Sequence, residues 1–282
     1  MFPTLLAFLI FGIVSQQNAP TVPSSNYAPQ FDRELASKYC RIRYSQDKEP
    51  DARQLADYAG RSLTSMADSL GGVDAGLMDG FDCTIRQFGV PQPGLADDVT
   101  ANSHTEGRGH SIVVSVLAPS SFSQNSRNAV GEPKDADYVF GLVANELSTV
   151  LLERVTSDKP KGWYFHSAPA WFVQGMEGYF GLMYSSPHER EVTLPRYLSA
   201  ARARPDEVSF DHGVVVRNQY LGGVVFVTFL YFAYGERRVN SLLDSPARTF
   251  DEAFAKNFGD WGEVEKEYRK WIALQPEHIT SP

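Results

Sequence analysis

Hydrophobic and polar positions along the chain change their period several times, and each change marks an element. The stretch MFPTLLAFLIFGIV is apolar and uncharged from Phe2 to Val14. It is too short to span a bilayer but has the length of the apolar core of a secretory signal peptide, with Ile13 and Ser15 fitting a small-residue cleavage site. Residues 1–15 are therefore expected to be removed on export, and 16–36, rich in Gln, Asn, Ser and Pro, to form a tail or linker. Cys40 to Tyr44 and Cys83 to Gln87 alternate with period two, as half-buried strands do. Between them, Leu55, Ala59, Leu63, Met66, Ala67 and Leu70 recur at helical spacing, which predicts a helix over 51–70 with Asp51 as cap and Gly71-Gly72 as stop. A loop rich in Gly, Pro, Asp and Asn follows at 89–109, then an apolar strand from Ser111 to Leu117 and a polar connector at 118–136.

From Asp137 onward the pattern is helical. It predicts helices over 137–156, 170–180, 218–234, 249–258 and 261–274, the third of them apolar almost throughout. A mixed sheet followed by helices argues an α+β fold, with an N-terminal lobe over 37–125 and a helical lobe over 137–274. The four tryptophans, Trp163, Trp171, Trp261 and Trp271, read as core anchors.

Composition adds compartment and partner class. Lys and Arg total 26 against 34 Asp and Glu, a net charge of −8 with no basic run. Nucleic acid and anionic membrane both require clustered positive charge, so neither is an expected partner. The chain has two cysteines, Cys40 and Cys83, each opening one of the two alternating strands. In parallel neighbouring strands they would stand at equal offsets. An exported chain permits a disulfide there, which is the expected state; two buried thiols are the alternative.

The helical half carries the chemistry. Asn145-Glu146-Leu147-Ser148-Thr149 lies within the first long helix, and Trp171-Phe172-Val173-Gln174-Gly175 within the second. Tyr220-Leu221-Gly222-Gly223 comes later, then a closing helix with Trp271. In order and spacing this resembles the gluzincin metallopeptidases, in particular the peptidase-MA-like proteins, over 37–274 in layout. The resemblance implies a zincin-like fold. It implies that a helix bearing HExxH supplies two zinc-binding histidines and a general-base Glu, that a following W-x-x-E-G helix supplies the third ligand, and that a later Tyr steadies an oxyanion. Here the two histidine positions hold Asn145 and Thr149 and the third-ligand position holds Gln174, while Glu146 keeps the general-base position and Tyr220 the oxyanion position. A carboxylate usual in such sequences falls on Gly178, and Glu177 stands one residue, about 100°, away around a helix.

Neutral amide and hydroxyl oxygens are weak ligands for zinc. The resemblance therefore implies a secreted pseudopeptidase that has lost its zinc site, requires no other cofactor and does not hydrolyse peptides. The former cleft is expected to persist and to hold a peptide or protein segment, the replaced polar side chains satisfying one another by hydrogen bonds. The competing reading is an active peptidase or hydrolase with altered or metal-free chemistry, in which Glu146 works with Glu177 and His166. An interaction protein using its outer surface is a third. His104 and His110, with Glu106 between them, read as a solvated loop rather than a metal site.

Overall fold

The computed structural model describes residues 31–71, 76–90, 101–106, 111–128, 130–157, 163, 165–205, 208–209, 215–216 and 218–277, with the backbone alone for 101–106, 208–209 and 215–216. The expected signal peptide, most of the expected tail, Gly72 and His110 lie outside these residues.

The fold is α+β: a small mixed sheet followed by helices. The sheet has five strands, β1 (Arg33–Ala36), β2 (Cys40–Tyr44), β3 (Asp82–Phe88), β4 (Ala101–Glu106) and β5 (Ser111–Leu117), in the order β1-β2-β3-β5-β4. The inner pairs β2·β3 and β3·β5 are parallel, and the edge strands β1 and β4 run antiparallel to their neighbours. β1 is drawn from the end of the segment read as a tail. β4 falls in the segment read as a loop, and its polar sequence Asn102-Ser103-His104-Thr105 shows why: an edge strand need not alternate with apolar residues. His104 and Glu106 therefore belong to a strand.

Alternation on the inner strands buries one row of side chains: Cys40, Ile42 and Tyr44 on β2, Ile112, Val114 and Val116 on β5. The first two helices, α1 (Glu49–Ser69) and α2 (Ala136–Ser157), pack on these strands and on each other. α1 begins two residues before the expected start, with Pro50 in its first turn. Gly71 follows its end with φ of 132°, a backbone state costly for any residue with a Cβ.

The helical half continues with α3 (Ala170–Tyr184), α4 (Leu194–Arg202), a short ribbon of β6 (Val208–Ser209) and β7 (Val215–Val216), then α5 (Leu221–Tyr234), α6 (Glu236–Leu243), α7 (Phe250–Phe258) and α8 (Trp261–Ala273). Thr249 and Asp260 cap the last two helices, each accepting a backbone N–H through its side-chain oxygen. One apolar core runs from the sheet through α2, α3 and α5 to α8. Trp171 lies edge-on to Phe172, Phe226, Phe250 and Trp261, and the Trp163 indole N–H donates to the carbonyl of Leu242. Among the described residues, no helix is long and apolar enough to cross a membrane.

Cys40 and Cys83 are direct register partners on the parallel strands β2 and β3, as the sequence suggested. Both are free thiols in the structure, adjacent on the two neighbouring strands. They stand side by side, buried and hydrogen-bonded, and burial is the main cause that pushes the Cys83 thiol well above its ordinary pKa. A neutral thiol pair packs in this apolar row as two small hydrophobes, without a covalent link.

Candidate functional site

The site is the seam between α2 and α3. On α2, Glu146, Thr149 and Glu153 recur at i, i+3 and i+7, which places them on one stripe of the helix. Gln174, Glu177 and Gly181 repeat that spacing on α3. The two helices approach closely where Gly181 meets Asn145. A Cβ built on Gly181 would lie 2.9 Å from the carbonyl oxygen of Gly141 and 3.1 Å from Cβ of Asn145. Only glycine permits that approach.

The neighbouring face of α3 is committed to α5. A Cβ on Gly175 would meet the carbonyl oxygen of Gly223 at 2.5 Å, and one on Gly178 would meet Cγ2 of Val224 at 2.3 Å. Gly223 in turn lies against the carbonyl of Trp171, where a Cβ would stand at 2.4 Å. α3 and α5 thus touch backbone to backbone, and no side chain fits at 178. The carboxylate that the motif would place there has no room.

This facing corrects the expectation for Glu177. Read by spacing alone it pointed away from the site; in the structure it is the centre. Its side chain is buried, and both oxygens accept hydrogen bonds, one from the Thr149 hydroxyl at 2.7 Å and one from the Gln174 amide at 3.0 Å. Two of the three positions that the resemblance matches to metal ligands therefore meet on one carboxyl group rather than on each other. Asn145 lies one turn along α2, at the close helix contact. Tyr220 lies at the start of α5, half-buried, its backbone N–H bonded to the side chain of Asn218.

Electrostatics set the state of Glu177. Burial is the largest influence and pushes its pKa up to about 8. The nearby charges of Glu146 and Glu153 act in the same direction, while the Thr149 hydrogen bond and His166 oppose them. At neutral pH the group is mostly a neutral acid. A hydroxyl partner suits both states, because Thr149 can donate to the anion or accept from the acid. At the far end of the stripe, Glu153 pairs with Nε2 of His166. That hydrogen bond raises the His166 pKa against the opposing effect of burial. In the sequence His166 holds no motif position, and Glu153 stands one helical turn beyond Thr149. The i+4 step from Thr149 to Glu153 was the available signal.

The sequence resemblance implies a zinc cage at these positions, so their donors can be tested against that ion. Gln174 directs an N–H donor and Thr149 a hydroxyl at Glu177, and Asn145, Thr149 and Gln174 are all uncharged. Among the described residues no three His, Cys, Asp or Glu side chains are placed to hold a metal ion. The residues present do not fit zinc, which takes imidazole nitrogen, thiolate or carboxylate.

Comparison of the chain with family models, with curated proteins and with solved structures finds no match.

Proposed function

We propose that the chain is an exported gluzincin-like pseudopeptidase in which hydrogen bonds around Glu177 have replaced a metal cage, leaving a cleft that holds a peptide segment without cleaving it. The observation that supports this most directly is the meeting of Thr149 and Gln174 on the two oxygens of one buried carboxyl group. Positions that would hold a cation in the resembled family instead satisfy each other's polar atoms through Glu177. Without a bound cation, a water keeps its high pKa and a carbonyl is not polarised, so Glu146 has no activated nucleophile to work with.

The experiment is metal analysis of the purified protein together with the triple reversion Asn145→His, Thr149→His, Gln174→Glu. The expected result is a natural protein without stoichiometric zinc and a reverted protein that binds it. Stoichiometric zinc in the natural protein sinks the proposal.

One observation favours a second reading, a hydrolase that works without metal. Glu177 and His166 both have raised pKa values, and perturbed titrating groups gather at catalytic sites. Against it, His166 is committed to Glu153, and Glu177 is occupied on both oxygens. A peptide-cleavage assay in the presence of chelator, with Glu146→Gln as control, separates the two.

A further inference from the structure

Strand β1 closes one side of the sheet. Among the described residues it pairs with β2 and with no other strand. The register runs from Arg33 to Ala36 without a bulge, and none of these residues is proline. In an antiparallel pair alternate residues turn N–H and C=O away from the partner, so β1 presents a short row of backbone donors and acceptors outward. Its charged side chains are drawn back from that row. Glu34 accepts from Arg43 of β2 at 2.9 Å, and Arg33 donates to Gln46 at 3.1 Å.

Beside this edge lies an open groove of about 540 Å³. Ligand sites usually measure about 300–1,000 Å³. Ser37 and Lys38, which follow β1 in the turn to β2, line one side, and Ala56, Gly60, Arg61 and Thr64 of α1 line the other. Ala56, Gly60 and Thr64 stand one helical turn apart, and their small side chains leave a trough. A Cβ built on Gly60 would meet nothing within 4 Å, so the trough is empty there. Leu35, the register partner of the buried Ile42, lies on the α1 side of the sheet. A strand laid against β1 would therefore send every second side chain to that same side, over the trough.

Charge narrows the occupant. Arg61 pairs with Asp57 at 2.7 Å, which cancels both. Lys38 is exposed and has no ion pair among the described residues; its Nζ stands 4.6 Å from the centre of the Tyr39 ring. One unbalanced ammonium thus marks the end of the edge strand, and a carboxylate is its complement. The groove is open, with no closed end to seat a chain terminus, so the carboxylate belongs to a side chain.

We propose that the edge of β1 and the groove beside α1 receive an extended segment of another protein, which pairs with β1 as an added strand and sets an acidic side chain against Lys38. Backbone hydrogen bonds hold such a segment, and the trough over Gly60 selects its alternate side chains. The surface is separate from the α2/α3 seam, and the inference does not rest on the reading of that seam.

The test uses the full chain, immobilised, and three pools of N-acetylated, C-amidated octapeptides read by mass spectrometry. The pools are random in Val, Thr and Tyr except at one central position, which is Glu in the first and Gln in the second. The third is the Glu pool with its backbone nitrogens methylated. The Glu pool should be retained about threefold above the Gln pool, the scale of one exposed ion pair. Methylation should lower retention at least about tenfold, because it removes the donors that a strand gives to an edge. Lys38→Gln should bring the Glu and Gln pools level. Gly60→Trp should remove retention of both, by filling the trough at a position that has room for a side chain. No retention, equal retention of the Glu and Gln pools by the natural chain, indifference to methylation, or unchanged retention by Gly60→Trp overturns the proposal. So does a dimer in light scattering that Gly60→Trp turns into a monomer, since the edge then belongs to a second copy of this chain. Retention that appears only after residues 16–30 are removed overturns it too, by assigning the edge to the chain's own tail.

Discussion

Replacing Glu177 by Gln should make the protein relatively more stable as the pH rises. In an unfolded chain a glutamate titrates near 4.5, whereas in the native protein Glu177 titrates near 8. Between those values the native state keeps a proton that the unfolded state has released, so stability falls with increasing pH. The slope is about 1.4 kcal/mol per pH unit for one such group, and the loss between pH 5.5 and 8 is about 3 kcal/mol. Glutamine resembles the protonated acid in size and hydrogen bonding. Its carbonyl accepts from Gln174 and its amide donates to Thr149, and it does not titrate. The native protein and Glu177→Gln should therefore diverge across this window, the variant gaining about 3 kcal/mol relative to the native protein by pH 8. In a chain of this size that is a relative shift of about 6–12 °C in melting temperature.

Urea denaturation at half-unit pH steps from 5.5 to 8 reads the divergence directly. His166 and Glu189 contribute slopes of the same sign but are common to both proteins. The stabilisation from protonated His166 is complete below about 6.5 and fades as pH climbs through its raised native pKa. Glu189, pushed up to about 8 by burial and by Asp137, Asp135 and Glu132, loses stability over the same interval as Glu177. If the stability curves of native protein and variant run parallel from pH 5.5 to 8, Glu177 is not held neutral and the account of the site is wrong.

The double variant Asn145→His, Thr149→His should bind zinc with Glu177 as its carboxylate ligand, because Glu177 already reaches position 149; adding Glu177→Gln should abolish that binding in a zinc titration. Gly175→Ala should lower stability by about 2–3 kcal/mol in chemical denaturation, since its Cβ would lie 2.5 Å from the backbone oxygen of Gly223. Gly60→Ala, where a Cβ would meet nothing within 4 Å, should stabilise the exposed side of α1 by up to about 1 kcal/mol. Protein recovered from an oxidising compartment should show two hydrogens fewer by intact mass, because Cys40 and Cys83 are register partners; closing that loop adds about 4 kcal/mol in the chain-entropy treatment. Two thiols titrating in the denatured, unreduced protein is the result that would exclude the bond.

Periodicity and apolar content located the longer elements and left the polar edge strands and two short helices. The alternation from Cys40 and from Cys83 gave both strands; that they pair in parallel, with the cysteines leading equivalent rows, comes from the structure. Helix α1 declares itself by a single apolar stripe. The edge strands β1 and β4 do not, because the sheet gives an edge strand's outer side no apolar neighbour. Helices α4 and α6 are short, and neither was read from the sequence, although Val239, Leu242 and Leu243 of α6 are buried at helical spacing. At the site, the frame around 145–149 and 171–175 identified which two helices would meet. What the frame could not supply was the rotation of α3 about its own axis.

That rotation is decided by a third partner. The sequence places Gln174 and Gly178 one turn apart, and spacing alone assigns both to the side facing α2. Gly175 and Gly178 instead form the surface on which α5 rests, with Gly223 and Val224 pressed against them. Any side chain at 178 would push α5 away, so α3 turns 174, 177 and 181 toward α2 and brings Glu177 inward. The glycine at 178 and the carboxyl at 177 are thus one packing decision. A carboxylate at 178 has no place in this packing; Gly178→Glu would collide with Val224 at 2.3 Å and separate α3 from α5. A metal site engineered at this seam would draw on Glu177, the carboxyl that already meets position 149.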